Sequence, residues 1–224
     1  MSEKRISFHG HAPGKAAFQQ LQSSEPYTIF LLSPANLAGV RGKRLLQGSS
    51  HFALSLRLQS SQATLGEIFS FVSGLYFRGK LAYASRFARP PFGISGIRII
   101  TSSSGLLPPE YLATLDWLRA TTESSIDPEN PQYRDPLIRD AQLICGALPQ
   151  GARVVLLGSI ATPKYVVPLL EVFGSRLFYP LDFAGRGDMS RGSLLLRCTR
   201  ENRELSYGVL GPVRTWGSDQ SFEP

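Results

Sequence analysis

The chain has 224 residues, 42% of them hydrophobic and 18% charged, with 24 basic and 17 acidic side chains and a net charge of +7. A chain of this length buries enough surface to fold without disulfide or metal staples, and its composition excludes the disordered and collagen-like classes. No apolar run approaches the ~20 residues of a membrane-spanning helix, and the N-terminus lacks a signal-peptide core, so a cytoplasmic protein is expected.

The excess of positive charge is uneven. Residues 41–98 hold nine Lys/Arg and one acid, Glu67, whereas residues 110–140 hold seven acids and three arginines. A clustered basic region suits an anionic partner, nucleic acid or nucleotide, or a generic solvated surface. Cys145 and Cys198 lie far apart in apolar surroundings, which predicts reduced thiols. With His9, His11 and His51 they match no familiar zinc spacing, so no metal and no cofactor is expected.

Along the chain, residues 4–9 alternate as a short strand, His11-Ala12-Pro13-Gly14 reads as a turn and residues 15–22 as a short helix. Tyr27-Thr28-Ile29-Phe30-Leu31-Leu32 is a continuous apolar run, the pattern of a central strand buried on both faces. The loop after it carries Ser33 and Asn36. Ligands of open α/β sheets bind where such loops leave the C-terminal ends of strands, which makes both residues site candidates; Ser, Pro and Asn are also ordinary turn residues.

Residues 51–59 show helical spacing. Thr64 with Glu67 forms a capping-box signature for the next helix, which ends or kinks at Gly74. A second helical piece, 79–88, is closed by Pro90-Pro91. Tyr76, Phe77 and Tyr83 interleave with Arg78, Lys80 and Arg86. Such an arrangement can stack on bases and neutralise phosphates, but aromatics at this period face a core more often.

Residues 97–101 read as a strand, followed by a hydroxyl-rich loop holding Ser104. Residues 110–121 and 133–147 read as helices. Residues 153–159 are the third strong strand, and Gly158 and Ser159 precede a helix that starts at Pro163 and runs to Phe173. A helix start after a glycine offers backbone N–H groups to an anion. A short strand covers 176–181. The Gly185–Gly192 stretch then reads as a glycine-arginine loop in which Arg186 and Arg191 can grip an anion. Asp188 is its one carboxylate, either an acid or water-positioning group or the partner of an arginine. Residues 193–199 and 205–210 alternate like a C-terminal β-hairpin, and 211–224 is a tail.

The alternation of strands and helices predicts a single α/β domain over residues 1–210: three-layer α/β/α, with a mostly parallel central sheet and the C-terminal hairpin. The alternative is an α+β fold in which the basic helical segment 41–89 is an inserted subdomain.

Four segments resemble the peroxide-stress YaaA family, in the same order along the chain. Leu32-Ser33-Pro34-Ala35-Asn36 is similar to its ISPAK loop, Ser73-Gly74-Leu75-Tyr76 to its SGLY segment, Val154 to Tyr165 to its strand with a following serine and tyrosine, and Arg186-Gly187-Asp188-Met189-Ser190-Arg191 to its RGxMSR segment. The last is the most specific. Tyr76 to Ala84 and Ser104 to Pro108 resemble small domains near archaeosine synthase, thought to share a uracil-DNA-glycosylase-like fold. Pro34 stands where those domains have cysteine and Asn36 where YaaA has lysine, so that loop carries no lysine here. The resemblance implies a nucleic-acid-associated protein: DNA binding in stress or damage response, or base modification.

Two functions follow as expectations. One is nucleic-acid binding through Ser33, Asn36, Lys80, Ser104, Gly158, Ser159, Arg186 and Arg191, with aromatic contacts from Tyr76, Tyr83 and Tyr165. The other is an enzyme acting on a nucleobase or nucleotide, with Asp188 as its catalytic carboxylate. A non-catalytic interaction subunit, using the acidic segment, is the third reading.

Overall fold

The computed structural model describes residues 25–49 and 51–211; the strand, turn and helix expected before residue 23 and the tail from 212 lie outside them. Strand β1 (Thr28–Leu32) is buried at every position. It pairs in parallel with β3 (Ile97–Ile100) on one side and β6 (Arg153–Leu157) on the other. β7 (Leu177–Pro180) adds in parallel to β6. Two short antiparallel strands, β4 (Leu106–Leu107) and β8 (Tyr207–Val209), complete a six-stranded sheet of order β4-β3-β1-β6-β7-β8. A separate two-residue ladder joins β2 (Ala63–Thr64) to β5 (Leu112–Ala113).

The continuous apolar runs of β1 and β6 are explained by helices on both faces. Phe30, Leu32, Val155 and Leu157 face one apolar cluster, whereas Ile29, Leu31, Val154 and Leu156 face the other. The first face is covered by α3 (Leu65–Ser73), α4 (Leu75–Phe87) and α8 (Asp188–Glu201), with α1 (Val40–Leu46), α2 (Ala53–Gln59) and α5 (Leu115–Glu123) outside them. The second is covered by α6 (Pro131–Ala147) and α7 (Pro163–Phe173). This is a three-layer α/β/α architecture with a mostly parallel sheet. Leu45, Leu58, Phe69, Phe77 and Tyr83, all from the basic segment, are buried in the same cluster as Phe30.

The Thr64 capping box forms as expected: the Thr64 hydroxyl accepts from Glu67 N and the Glu67 carboxylate accepts from Thr64 N. Gly74, at φ 61°, ends α3 and begins α4. The α4 helix therefore starts at Leu75, earlier than expected, and includes Tyr76 and Phe77.

Three local expectations change. Residues 110–121 are not one helix: Leu112 and Ala113 pair with β2, and the helix begins only after Thr114, whose hydroxyl accepts from Trp117 N. The glycine-arginine stretch is a loop only to Gly187, from which α8 runs to Glu201. Residues 193–199 are thus helical, because Arg191, Leu194, Leu195 and Cys198 bury one helical face. The C-terminal antiparallel pairing exists, but between β7 and β8 with α8 between them, not between 193–199 and 205–210.

Candidate functional site

β1, β3 and β6 run parallel, so their C-terminal ends share one rim. The chain leaves β1 toward β3 on one side and returns to β6 on the other, so the topological switch point lies beside β1. A cavity of about 720 Å³ opens there, within the size range of small-molecule sites. The β1 loop lines it with Ser33 to Gly39, and the loops after β3 and β6 add Ser102 and Ser159. From the helices come Phe69, Val72, Ser73 and Tyr76 on one side, Thr121 and Thr122 on another, followed by Ser124 and Ile126 just after α5, and Lys164, Tyr165 and Asp188.

Beneath the β1 loop lies Lys80, which is 1% exposed. Its Nζ bonds the Ser33 carbonyl oxygen at 2.6 Å and Ser33 Oγ at 2.8 Å. The faces of Tyr76 and Phe77 lie 4.5 and 5.0 Å from the same nitrogen. A lysine therefore does reach the β1 loop, but from α4. Burial pulls its pKa down to about 7, against the opposing pull of the Asp188 carboxylate. Burial therefore favours the neutral amine far more than it is favoured in an exposed lysine. Ser33 is held in turn by its own N–H, which donates to Leu157 O at 3.1 Å and ties the loop to β6.

Tyr76 is 7% exposed, and its hydroxyl has no hydrogen-bond partner among the described residues, although the Arg191 guanidinium is close enough to act on it electrostatically. Burial pushes its pKa up to about 12. Burial also raises that of Tyr165, with Tyr76 and Asp188 adding to the effect. The Tyr133 hydroxyl donates to Lys164 O at 2.7 Å and fixes the first turn of α7, which carries Lys164 and Tyr165. Asp188 opens α8 with a largely exposed carboxylate, 3.7 Å from the Arg191 guanidinium.

The structure brings together Ser33, Asn36, Tyr76, Ser159, Tyr165 and Asp188 as cavity lining, with Lys80 directly behind Ser33. Gly158 packs on the same loop: a Cβ there would lie 3.0 Å from Ser33 Cβ. Asn36 Oδ1 accepts from Ala38 N and shapes the loop. Four candidates fall elsewhere. Ser104 Oγ accepts from the Trp117 indole at 3.0 Å, and Ser102 lines the cavity from that loop instead. Arg186 is exposed and donates to Ser190 Oγ. Arg191 is buried, with its guanidinium donating to Phe183 O through Nε and Nη2 and stacking on the Phe183 ring, so it fastens α8 and does not line the cavity. Tyr83 is in the core, where its hydroxyl shares a 2.7 Å hydrogen bond with that of Tyr207 and accepts from Leu205 N.

The residues missed in the sequence are Ser102, Thr121, Thr122, Ser124 and Lys164. Ser102 lay in a loop already singled out. The others carry no local signal: Thr121, Thr122 and Ser124 reach the cavity because Ser102 Oγ donates to Thr121 O and Ser124 Oγ donates to Ser102 O, binding the end of α5 to the β3 loop, and Lys164 comes with the first turn of α7.

Among the described residues no three His, Cys, Asp or Glu side chains are grouped to hold a metal, and both cysteines are free thiols. No helix among them is long and apolar enough to cross a membrane. No protein-family model, curated protein or solved structure matches the chain.

Proposed function

We propose that the protein is nucleic-acid-associated and takes a nucleobase, as a free nucleotide or as an unstacked base of a strand, into the cleft at the end of β1. The observation that carries this reading is the convergence of Ser33, Tyr76, Ser159, Tyr165 and Asp188 from four separate segments on one cavity. Tyrosines supply ring faces for a base, hydroxyls and Asp188 supply donors and acceptors for its edges, and Lys164 supplies a cation for a phosphate. All four segments that resemble the YaaA family contribute to this cavity or to the packing around it. Arg41 and Lys43 sit exposed on α1, which begins directly after lining residue Gly39, and supply further positive charge for a phosphate backbone. A nucleobase-modifying or glycosidic-bond enzyme is the second reading, favoured by the position of Asp188 at the cavity wall. There the carboxylate would orient a water or a sugar hydroxyl.

The test is thermal-shift and fluorescence-anisotropy titration with nucleosides, nucleotides and short single- and double-stranded DNA at two salt concentrations. Binding that weakens with salt, and falls in Asp188→Asn and Tyr165→Ala, is expected. Absence of binding to every one of these at low salt overturns the reading. Turnover of a nucleoside or base by the native protein but not by Asp188→Asn would favour the enzyme.

A further inference from the structure

The cleft wall holds a hydroxyl backed by a buried amine, a contact that base recognition does not use. We propose that Ser33 and Lys80 form a nucleophile–base pair for acyl transfer, in which Ser33 Oγ attacks the carbonyl carbon of an ester or amide seated in the cleft. The inference rests on the reading above only for the place where the ligand sits, not for its being a nucleobase.

Three observations carry it. First, Ser33 lines the cavity, and Lys80, which does not line it, reaches the Ser33 hydroxyl from α4 at 2.8 Å. Second, the amine is fully buried and has no carboxylate within salt-bridge distance among the described residues; its polar contacts are Ser33 O and Ser33 Oγ. A permanent buried charge without a counter-ion is strongly disfavoured. As an ammonium, Nζ donates to both Ser33 O and Ser33 Oγ; once neutral, it keeps one N–H on Ser33 O and its lone pair takes the Ser33 hydroxyl proton across the same 2.8 Å contact. Third, Tyr76 lines the same cavity, and its buried hydroxyl makes no hydrogen bond of good geometry among the described residues, although the Arg191 guanidinium lies close to it; that hydroxyl is the nearest tyrosine donor on α4 for the oxyanion that develops on the carbonyl. Serine–lysine pairs are an established variant of the activated-serine arrangement.

The step balances without a further reagent. The Ser33 Oγ–carbon bond forms as the carbon–leaving-group bond breaks. The hydroxyl proton passes to Lys80 Nζ and then to the departing alcohol or amine. Water cleaves the acyl-serine in the second half, its proton following the same route, and Ser33 is restored with release of a carboxylic acid.

The charged and titratable groups around the amine are few. Asp188 on α8 favours its protonated form. Arg191 on α8 is turned to Asp188 and Phe183 O. Tyr76 lies on α4 itself, and Tyr165 and Lys164 stand on α7 at the cavity wall. On α3, Glu67 is engaged by Arg57 and Thr64. β1 brings no charge.

The experiment uses a fluorophosphonate probe on the full chain, so no natural substrate is required. The Ser33 Oγ–phosphorus bond forms, the phosphorus–fluorine bond breaks, fluoride leaves and the proton goes to Lys80. A single adduct mapped by mass spectrometry to Ser33 is expected. Its rate should rise with pH through a midpoint near 7, where the amine loses its proton. Labelling should vanish in Ser33→Ala and fall at least about 100-fold in Lys80→Met and in Lys80→Arg. Lys80→Arg separates the roles, because an arginine keeps a cationic tie to the Ser33 carbonyl but cannot act as a base. No adduct on the native protein, an adduct on another residue, or labelling of folded Lys80→Arg at the native rate would each overturn the proposal. If neither lysine variant folds, the native protein decides: a labelling rate on Ser33 that is flat between about pH 6 and about pH 8 removes the base role. None of these outcomes depends on nucleotide binding.

Discussion

Gly79 and Gly192 meet where α4 crosses α8: a Cβ on Gly79 would sit 2.7 Å from the Gly192 carbonyl oxygen, and one on Gly192 would sit 2.8 Å from Tyr76 Cα. Both obstacles are backbone, so neither can swing aside. The contact brings Tyr76 and Lys80 on one helix up to Asp188 and Arg191 on the other. Gly79→Ala and Gly192→Ala should each lower stability by about 1–3 kcal/mol, the usual cost of overpacking. Urea unfolding should show a lower midpoint with an unchanged slope. A midpoint equal to that of the native protein would mean that the helices separate freely.

Lys80 links the site to the pH dependence of folding. The folded chain sheds this proton near pH 7, while the unfolded chain keeps it up to the ordinary lysine value of 10.5. The unfolded state therefore binds more protons between those values, and stability should rise with pH there by at most about 1.4 kcal/mol per unit. Below the folded value this group adds no slope. The buried tyrosines, raised by burial, act in the opposite direction only above about pH 10. Lys80→Met should flatten the rise when unfolding is compared at about pH 7, 8 and 9. An identical rise in both proteins would show that the amine is charged throughout.

The Thr64–Glu67 capping box is joined by Arg57, whose guanidinium reaches Glu67 at 2.6 and 2.9 Å. The hydrogen bonds from Arg57, then from Thr64 N, lower the Glu67 pKa to about 2. Its stabilisation is complete above the ordinary value of 4.5 and is lost as pH falls toward 2. Arg57 and Glu67 are both more than a third exposed, so salt should weaken this part of the effect. Thr64→Ala should cost about 1 kcal/mol at neutral pH. Glu67→Gln should reduce the acid-side loss of stability; acid titration followed by circular dichroism reads it directly.

Gly158 presses on the hydroxyl at the centre of the site. An alanine Cβ would lie 3.0 Å from Ser33 Cβ and 3.2 Å from Ser33 Oγ. Gly158→Ala should fold, since Ser33 needs to yield by only a few tenths of an ångström, but its hydroxyl would shift relative to Lys80. About a tenfold slower reaction of Ser33 with a fluorophosphonate is expected. Labelling at the native rate, with the native unfolding midpoint, would show that the loop tolerates the methyl group.

Much of the fold was readable because its signals are local. The continuous run at β1 has to be buried on both faces, and Thr64 with Glu67 satisfies backbone donors within its own turn. The β6 run and the proline at the start of α7 are equally self-contained. Residues 193–199 misled because three successive leucines fit a strand as well as a helix over so short a window. Arg191 with Leu194, Leu195 and Cys198 shows the true period only once the helix is counted from Asp188. Within the site, the strand-end loops announced Ser33 and Ser159. The inward turn of Lys80 was hidden among aromatic and basic neighbours, two of which, Arg78 and Arg86, do face outward. Tyr83, spaced like a ligand contact, is a core residue because Tyr207 and Leu205 N satisfy its hydroxyl. Thr121 and Ser124 depend on cross-chain hydrogen bonds that no sequence window contains.

Among the described residues the sheet terminates in β4, two residues long, and β8, three residues long, both antiparallel to their neighbours. An outermost strand normally offers a row of unpaired amide groups on which another chain can template itself. So brief a margin presents hardly any such row, while the long hydrophobic strands lie interior to it. Concentrated solutions should accordingly resist fibril growth by strand addition for as long as the native sheet persists.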